Sequence, residues 1–263
     1  MCRRRSLRES TPMTHTPTPP PLPLGWHPAP DGSSAMWWWD GARWIQPQNE
    51  PSPAPTSAVA IARLAIATQV LLVISAVTSV VTIGIETFGI NAASRYLGGD
   101  ESAIRMIDSY DQLSSVFGIL SSLSLLATGV LWMIWQYRVA KQFIGLTRRS
   151  PGWHVGSWIL PVVNLWFPYQ NIADLWRAVG RTRPSWQIVW WLLWVLSNTV
   201  STQASRLTLN AQDLEQFQLA MSMSIVAETL LLAAAPLAWL TVRGITQGIL
   251  HRSSAPVVLA PAV

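Results

Sequence analysis

Residues 150–180 of the chain are SPGWHVGSWILPVVNLWFPYQNIADLWRAVG, a stretch that is apolar enough for a membrane but is interrupted by Pro161, Asn164 and Pro168. A proline inside a helix removes one backbone hydrogen bond and clashes with the preceding turn, at a cost of about 3 kcal/mol. In hydrocarbon, the carbonyl groups freed in this way must find protein or water. We therefore expect this stretch to form two short pieces that neighbouring helices enclose.

The composition of the chain is that of an integral membrane protein. Hydrophobic residues make up 50% of the sequence and charged residues only 12%, and the mean hydropathy is +0.28, which leaves too little charge for a soluble domain. Four apolar segments have about the 20 residues that a hydrocarbon layer of about 30 Å requires. They are residues 64–86, 115–137, 188–207 and 219–242. We predict an all-α membrane domain over residues 57–250 with four transmembrane helices.

Charged residues predict the orientation of these helices. Residues 87–114 carry four acids against two arginines, whereas residues 138–149 carry four basic residues and no acid. The positive-inside rule places the second of these loops in the cytoplasm. Arg243 and Arg252, which follow the last apolar segment, agree with this placement. We predict a multi-pass protein of the plasma membrane with both termini in the cytoplasm.

The same rule favours a re-entrant hairpin over a fifth crossing in the middle stretch. A crossing by residues 153–179 would carry Arg177, Arg181 and Arg183 outside. We expect the first half to dip into the membrane and the second to return along the cytoplasmic interface as an amphipathic helix. The candidate site residues of this hairpin lie at its breaks and on its polar face: Pro161, Asn164, Trp166, Pro168, Tyr169, Asn171, Asp174 and Arg177.

The middle stretch also carries a specific pattern: SPGWHVGSW, then P-x-x-N-L-W-x-P-Y-Q, then D-L-W-R. In this pattern the chain resembles the membrane domain catalogued as domain of unknown function 4328, over roughly residues 58–250. The resemblance implies a membrane architecture. It supplies no catalytic residues, because none are established for that family.

A small tryptophan-rich segment, GWHPAPDGSSAMWWWDGARWIQ, occupies residues 25–46. Asp40-Gly41 between two aromatic runs predicts a tight β-hairpin turn. We expect a two-stranded ribbon in which Trp26 packs on Trp39 or Trp44. GWHPAPDGS followed by WWDGARW resembles the short module catalogued as domain of unknown function 2510. The resemblance implies a module that precedes membrane segments in high-GC Gram-positive bacteria.

Three further segments flank these units. Residues 1–24 and 47–56 are rich in proline, serine and threonine, and such segments cannot bury a core. We predict a disordered tail over the first and a linker over the second. Residues 251–263 are predicted to be a second disordered tail.

The sequence contains no recognisable catalytic motif. Nucleotide-binding glycine loops, His-Glu-x-x-His and Gly-x-Ser-x-Gly are all missing, and the single cysteine, Cys2, excludes a multi-cysteine metal site. The pI near 10.1 comes from arginines beside apolar runs, so nucleic acid is not an expected partner. We expect a non-enzymatic protein without cofactor or metal. Its expected partners are the lipid bilayer and a cytoplasmic or membrane protein.

Three polar residues within the apolar segments form a candidate intramembrane site: Glu228, Asn198 and Gln69. A carboxylate at the bilayer centre costs about 2.5 kcal/mol or more, so Glu228 should face the bundle interior. One interpretation gives it a function. The other is a structural hydrogen bond between Glu228 and Asn198, which fall at similar depth in the membrane.

Ten tryptophans fall near the predicted cytoplasmic face. An aromatic belt at headgroup level accounts for most of them. The alternative is a lipid or amphiphile pocket walled by Trp158, Trp166 and Trp190, and only convergence of these rings on a cavity would favour it.

Two functional hypotheses follow from the sequence. The favoured one is recruitment or regulation of a partner at the cytoplasmic face of the membrane. The other is a small transporter or channel that uses Glu228 and Asn171 of the broken segment. A water-filled path from Glu228 to either face would favour transport.

Overall fold

The computed structural model describes residues 22–23, 25–32, 36–39, 41, 44–45 and 55–254. Most of the predicted tails and linker, and also Asp40, lie outside these residues. The strands and the helices form two separate units. Six helices are present in the described part: α1 Pro55–Leu97, α2 Ile104–Gln142, α3 Trp153–Ile159, α4 Phe167–Ala178, α5 Gln187–Asn210 and α6 Leu214–Ser254.

Three of the six helices are long and apolar enough to cross a membrane. They are α1, α2 together with the short turn before it, and α6, and they are consistent with a membrane protein. Helix α5 has 24 residues, but its second half is polar from Ser197 to Gln203, which lowers its mean hydropathy. Only three of the four predicted crossings therefore have the length and hydropathy of a membrane span.

The long helices extend well beyond the predicted apolar segments, because hydrogen bonds at their ends continue the helices into polar sequence. At the start of α6, the Gln216 backbone N–H donates to the Asp213 carboxylate at 2.8 Å. The Gln216 side chain accepts in return from the Gln212 backbone N–H at 3.1 Å. This reciprocal cap begins the helix five residues before the predicted position 219. At its other end, α6 includes residues 251–254 of the predicted tail.

The long helices form a row in the order α2, α1, α6, α5. Helix α1 packs against α2 and α6, and α6 packs in turn against α5. Within the described residues, α2 and α5 at the two ends of the row share no extensive backbone contact. The row therefore leaves a gap between its ends.

Residues 153–179 form two short helices, as their prolines predict. Helix α3 ends at Ile159 because Leu160, which precedes Pro161, takes an extended conformation with ψ of 116°. Pro168 lies in the first turn of α4, where a missing N–H has no cost. Gly180 ends α4 with a φ of +73°, and the Arg181 N–H reaches back to the Trp176 carbonyl at 2.9 Å.

Helix α4 docks on two glycines of α6. A Cβ added to Gly248 would lie 2.7 Å from Cγ2 of Val179, and one added to Gly244 would overlap the Trp176 ring. Glycine at these positions lets the two helices approach closely. This small-residue surface fixes the position of the broken stretch against the bundle.

The N-terminal unit is an antiparallel sheet of three strands: β1 Gly25–Pro28, β2 Met36–Trp39 and β3 Trp44–Ile45. The sequence predicts two strands, but β1 also pairs with β2, with Trp26 opposite Trp38. Trp39 and Trp44 are directly opposite each other on β2 and β3, and their rings lie 5.0 Å apart. Cross-strand aromatic pairs of this kind help to stabilise a small sheet.

Candidate functional site: a tryptophan-lined cavity

A cavity of about 220 Å³ lies between the two ends of the helix row. Small side chains of α1 and α6 form one wall, including Ser75, Ala76, Ser79, Ala234, Ala235 and Ala238. Leu125 on α2 and Asn198 on α5 also line the cavity and are exposed, so the cavity opens sideways between these helices. We call this space the tryptophan cavity.

Four tryptophans from three helices close the cavity at the α3 end: Trp132, Trp158, Trp190 and Trp194. The rings of Trp132 and Trp190 are 5.5 Å apart and join α2 to α5 at this end. The Trp158 ring of α3 meets that of Trp194 edge-on at 5.2 Å. Rigid aromatic rings in contact with one another give this end of the cavity a fixed apolar surface.

A fully buried glutamine holds two of these rings in place. The Gln136 side-chain oxygen accepts from the indole N–H of Trp132 at 3.1 Å and from that of Trp158 at 3.0 Å. Its amide nitrogen donates to Nδ1 of His154 at 3.3 Å. Because both the oxygen and the amide nitrogen of Gln136 are engaged, it fixes α2, α3 and the cavity wall relative to one another.

His154 is completely buried. Burial, reinforced by the nearby Arg149, lowers the pKa of His154 from its ordinary 6.5 to about 4. The ring is therefore neutral at pH 7, with its proton on Nε2 because Nδ1 accepts from Gln136. Between pH 6.5 and 4 the unfolded chain binds a proton that the folded chain does not, so this histidine lowers stability as the pH falls.

Asn171 connects α4 to α3 and to the preceding loop. Its amide nitrogen donates to the Trp153 carbonyl at 3.0 Å and to the Ser157 hydroxyl at 3.1 Å. Its oxygen accepts from Arg149 at 3.2 Å, and the same guanidinium donates to Gln170 at 2.6 Å. Asn171 thus acts as a structural link, and it does not line the tryptophan cavity.

Asp174 of α4 is almost completely buried, with 2% of its side chain exposed. Its carboxylate pairs with Arg148 at 3.1 Å and with Arg177 one turn along α4. The Arg148 backbone N–H also donates to it, at 3.3 Å. Asp174 and Arg177, both candidate residues from the sequence, are therefore paired, and Arg148 is a second partner that ties the preceding loop to α4.

The other predicted hairpin residues have separate roles. Trp166 is 44% exposed and does not line the cavity, contrary to the predicted pocket of three tryptophans. Asn164 has a buried side-chain oxygen without a hydrogen-bond partner in the described residues. The Tyr169 backbone carbonyl accepts from Gln187 at 3.0 Å, which links α4 to α5. Pro161 and Pro168 set the helix ends.

The predicted intramembrane residues do not form one site. Asn198 donates to the Trp194 carbonyl of its own helix at 2.7 Å and does not bond to Glu228. Glu228 lies close enough to Glu86 of α1 for electrostatic repulsion, and one of its oxygens is buried without a partner in the described part of the chain. Gln69 donates to the Trp239 carbonyl at 3.4 Å and so links α1 to α6.

The predicted module residues can be placed only in part. Trp39 and Trp44 form the aromatic pair of the sheet, and Gly41 has a φ of +93°, as tight turns often require. Asp40 and the side chain of Trp26 lie outside the described residues, so the predicted packing of Trp26 stays a prediction.

Several residues of the site carry no signal that sequence reasoning used. Gln136 resembles any polar residue at the end of an apolar helix. Ser75 and Thr128 form a hydrogen bond of 3.0 Å, but they lie on different helices, so the sequence does not show that they meet. The small-xxx-small spacing of Gly244 and Gly248 is a recognised packing pattern and could have indicated the α4 contact.

The fold and the cavity define a helical membrane domain with a tryptophan-lined cavity that opens sideways. A family model described as "Domain of unknown function (DUF4328)" matches residues 101–247, which is more than half of the chain. The chain therefore belongs to this family. The match includes the middle stretch and the tryptophans of the cavity, and it does not extend to the N-terminal sheet. No curated protein and no solved structure gives a significant match.

Proposed function

We propose that this chain is a non-enzymatic membrane protein that binds the apolar chain of an amphiphile and regulates a partner at the cytoplasmic face of the plasma membrane. The observation that carries the proposal is the convergence of Trp158 and Trp190, with Trp132 and Trp194, on the tryptophan cavity. Ligand pockets are typically concave and mostly apolar, with a few polar groups for orientation. Here the hydroxyl and amide side chains of the lining are those of Ser75, Ser79, Thr128 and Asn198.

The proposal places four crossings in the membrane, with α5 as the third. Its 24 residues correspond to about 36 Å of helix, which is enough for the hydrocarbon layer. Only residues 211–213 separate α5 from α6, and the two helices pack together. The Ser197 hydroxyl of α5 donates to the Ala227 carbonyl of α6 at 2.9 Å. This hydrogen bond supports placing the two helices at the same depth in the membrane. In this topology α3 and α4 form a re-entrant hairpin on the cytoplasmic side.

The partner would bind the N-terminal unit, which we propose to be a tryptophan-rich hairpin module of the kind catalogued as domain of unknown function 2510. The aromatic pair Trp39 and Trp44 supports this assignment, as does the positive φ of Gly41. A sheet this small has little core of its own, so contact with a partner would add stability. The proposed topology keeps this unit in the cytoplasm.

Transport is the second candidate function. Carboxylates within membrane helices are common in transporters, and the electrostatic repulsion between Glu228 and Glu86 favours this reading. Tyr110 donates to the Glu86 carboxylate at 3.0 Å. However, neither glutamate lines the tryptophan cavity, so the cavity supplies no path to them. Ligand binding is therefore the better supported proposal.

A photoactivatable fatty acid with a diazirine on its chain tests the proposed function. In membranes that contain the full chain, we expect crosslinks within residues 125–133 of α2 and 231–238 of α6, which line the cavity. Ala235→Phe should remove these crosslinks because its ring would fill the cavity. Crosslinks to the lipid-facing Val73 and Val77, which are more than half exposed, should remain.

Ala233→Phe is the matched control. Ala233 lies two residues away on the same helix and is exposed, and it is not part of the cavity lining. This variant should label like the wild type. Crosslinks that are spread evenly over exposed apolar residues, and that Ala235→Phe does not change, would refute the proposed binding.

A further inference from the structure

We propose that a second site, formed where α1 begins and α2 ends, binds the phosphate group of an anionic phospholipid. A pocket of about 320 Å³ lies between these helix ends. Its lining includes Arg138, Lys141 and Tyr137 of α2 together with Ser57 and Ile61 of α1. We call it the headgroup pocket.

Two cations that have no partner among the described residues line this pocket. Arg138 and Lys141 are three residues apart, so they share one face of α2, and both are exposed. Neither has an ion pair or a hydrogen bond to another described residue. None of the described residues of the lining is acidic. Unbalanced positive charge in a concave site attracts an anion.

The basic residues around α4 differ from Arg138 and Lys141, because their side chains already have partners. Arg148 and Arg177 pair with Asp174, and Arg149 donates to Asn171 and Gln170. These arginines hold the broken stretch in place. In the headgroup pocket, by contrast, Arg138 and Lys141 have no ion pair with another described residue.

The rest of the lining suits the boundary between a headgroup and its lipid chains. Ile61 and Ala60 give the pocket an apolar side on α1, and the Tyr137 hydroxyl can donate to a phosphate oxygen. Arginine and lysine bind phosphate by charge-assisted hydrogen bonds. Basic pockets between helices at the cytoplasmic surface are typical sites for anionic lipid headgroups.

This inference is independent of the proposed function. It rests on the charges of α2 and on a different cavity, so loss of either proposal leaves the other intact. The same phosphate chemistry could also come from a soluble phosphate compound, and the experiment below distinguishes the two sources.

The test compares lipid binding by variants of the full chain. Purified protein in neutral detergent is titrated with phosphatidylglycerol and, in parallel, with phosphatidylcholine, and bound lipid is counted by native mass spectrometry. We expect the double variant Arg138→Gln/Lys141→Gln to lose affinity for phosphatidylglycerol by on the order of tenfold, because each basic residue contributes to the attraction. Binding of phosphatidylcholine should not change.

The matched control is Arg63→Gln/Arg243→Gln, which removes the same charge from exposed positions outside the pocket. It should retain nearly the affinity of the wild type. Inorganic phosphate is added as a competitor: failure to displace the lipid supports a lipid headgroup site, and displacement at millimolar concentration supports a phosphate site open to soluble compounds. Equal losses in both double variants, or none in either, would overturn the proposal.

Discussion

The variant Gln136→Leu is expected to lower the free energy of unfolding by about 3–9 kcal/mol, since three polar groups are left without a partner and each costs about 1–3 kcal/mol. Three groups lose their partner at once: the indole N–H groups of Trp132 and Trp158 and the Nδ1 atom of His154. Water cannot replace the lost acceptor easily, because Gln136 and His154 are completely buried. Titration with SDS in mixed micelles, followed by tryptophan fluorescence, measures this change.

Two controls separate the lost hydrogen bonds from the change of shape. Gln142→Leu makes the same substitution at the end of α2, where one hydrogen bond from Ser57 is lost, and it should cost about 1 kcal/mol or less. The triple variant Gln136→Leu/Trp132→Phe/Trp158→Phe removes both indole donors and should recover part of the stability. If Gln136→Leu is as stable as Gln142→Leu, the network does not hold the cavity wall.

Gly244→Ala is expected to destabilise the protein by about 2–3 kcal/mol through overpacking, although alanine is the better helix former. The new methyl group would overlap the Trp176 ring, which is 5% exposed and has no space to move into. Helix α4 must then separate from α6. Limited proteolysis of the loop at residues 180–186 and SDS unfolding both measure this loosening.

Gly118→Ala is the matched control, because no atom lies within 4 Å of the Cβ that it would add. It should be neutral or slightly stabilising. Trp176→Phe in the Gly244→Ala background removes the overlapping part of the ring, so the double variant should be more stable than the two single changes predict. Additive effects would show that α4 does not rest on Gly244.

The ends of the broken stretch could be predicted from sequence because they obey local rules. Pro161 and Pro168 restrict the backbone of one or two residues, Gly180 permits the positive φ that ends a helix, and the helix ends follow from them directly. The apolar segments were likewise recognisable from composition. Their full lengths were not, because caps such as Asp213 extend the helices beyond the apolar part.

The hydrogen bond between Glu228 and Asn198, one of the two interpretations left open by the sequence, is not found among the described residues, because similar depth in a membrane does not determine which way a side chain faces. Helix α5 meets α6 through Ser197, and this turns the neighbouring Asn198 towards the exposed mouth of the cavity. Glu228 instead lies near Glu86, which sequence reasoning did not consider. The rotation of each helix depends on packing between distant parts of the chain.

For the tryptophans, too, the sequence does not determine which way each side chain faces. Their abundance near one end of the bundle favours an interfacial belt, with a pocket as the alternative, and only the packed structure distinguishes the rings. Trp158 and Trp190 reach the cavity, whereas Trp166 follows the turn Val163–Leu165 and is exposed.

The central claim is the membrane placement, in which α3 and α4 enter and leave on the cytoplasmic side and close the tryptophan cavity from there. Cysteine accessibility measures it directly, in a Cys2→Ser background with single cysteines at Ser150, Thr182 and Glu101, three exposed positions. Intact cells are treated with a membrane-impermeant maleimide. We expect only the cysteine at 101 to react until the cells are opened, when all three should react. Reaction at 182 from outside, with 150 protected, would establish a crossing by residues 153–179 and contradict the account.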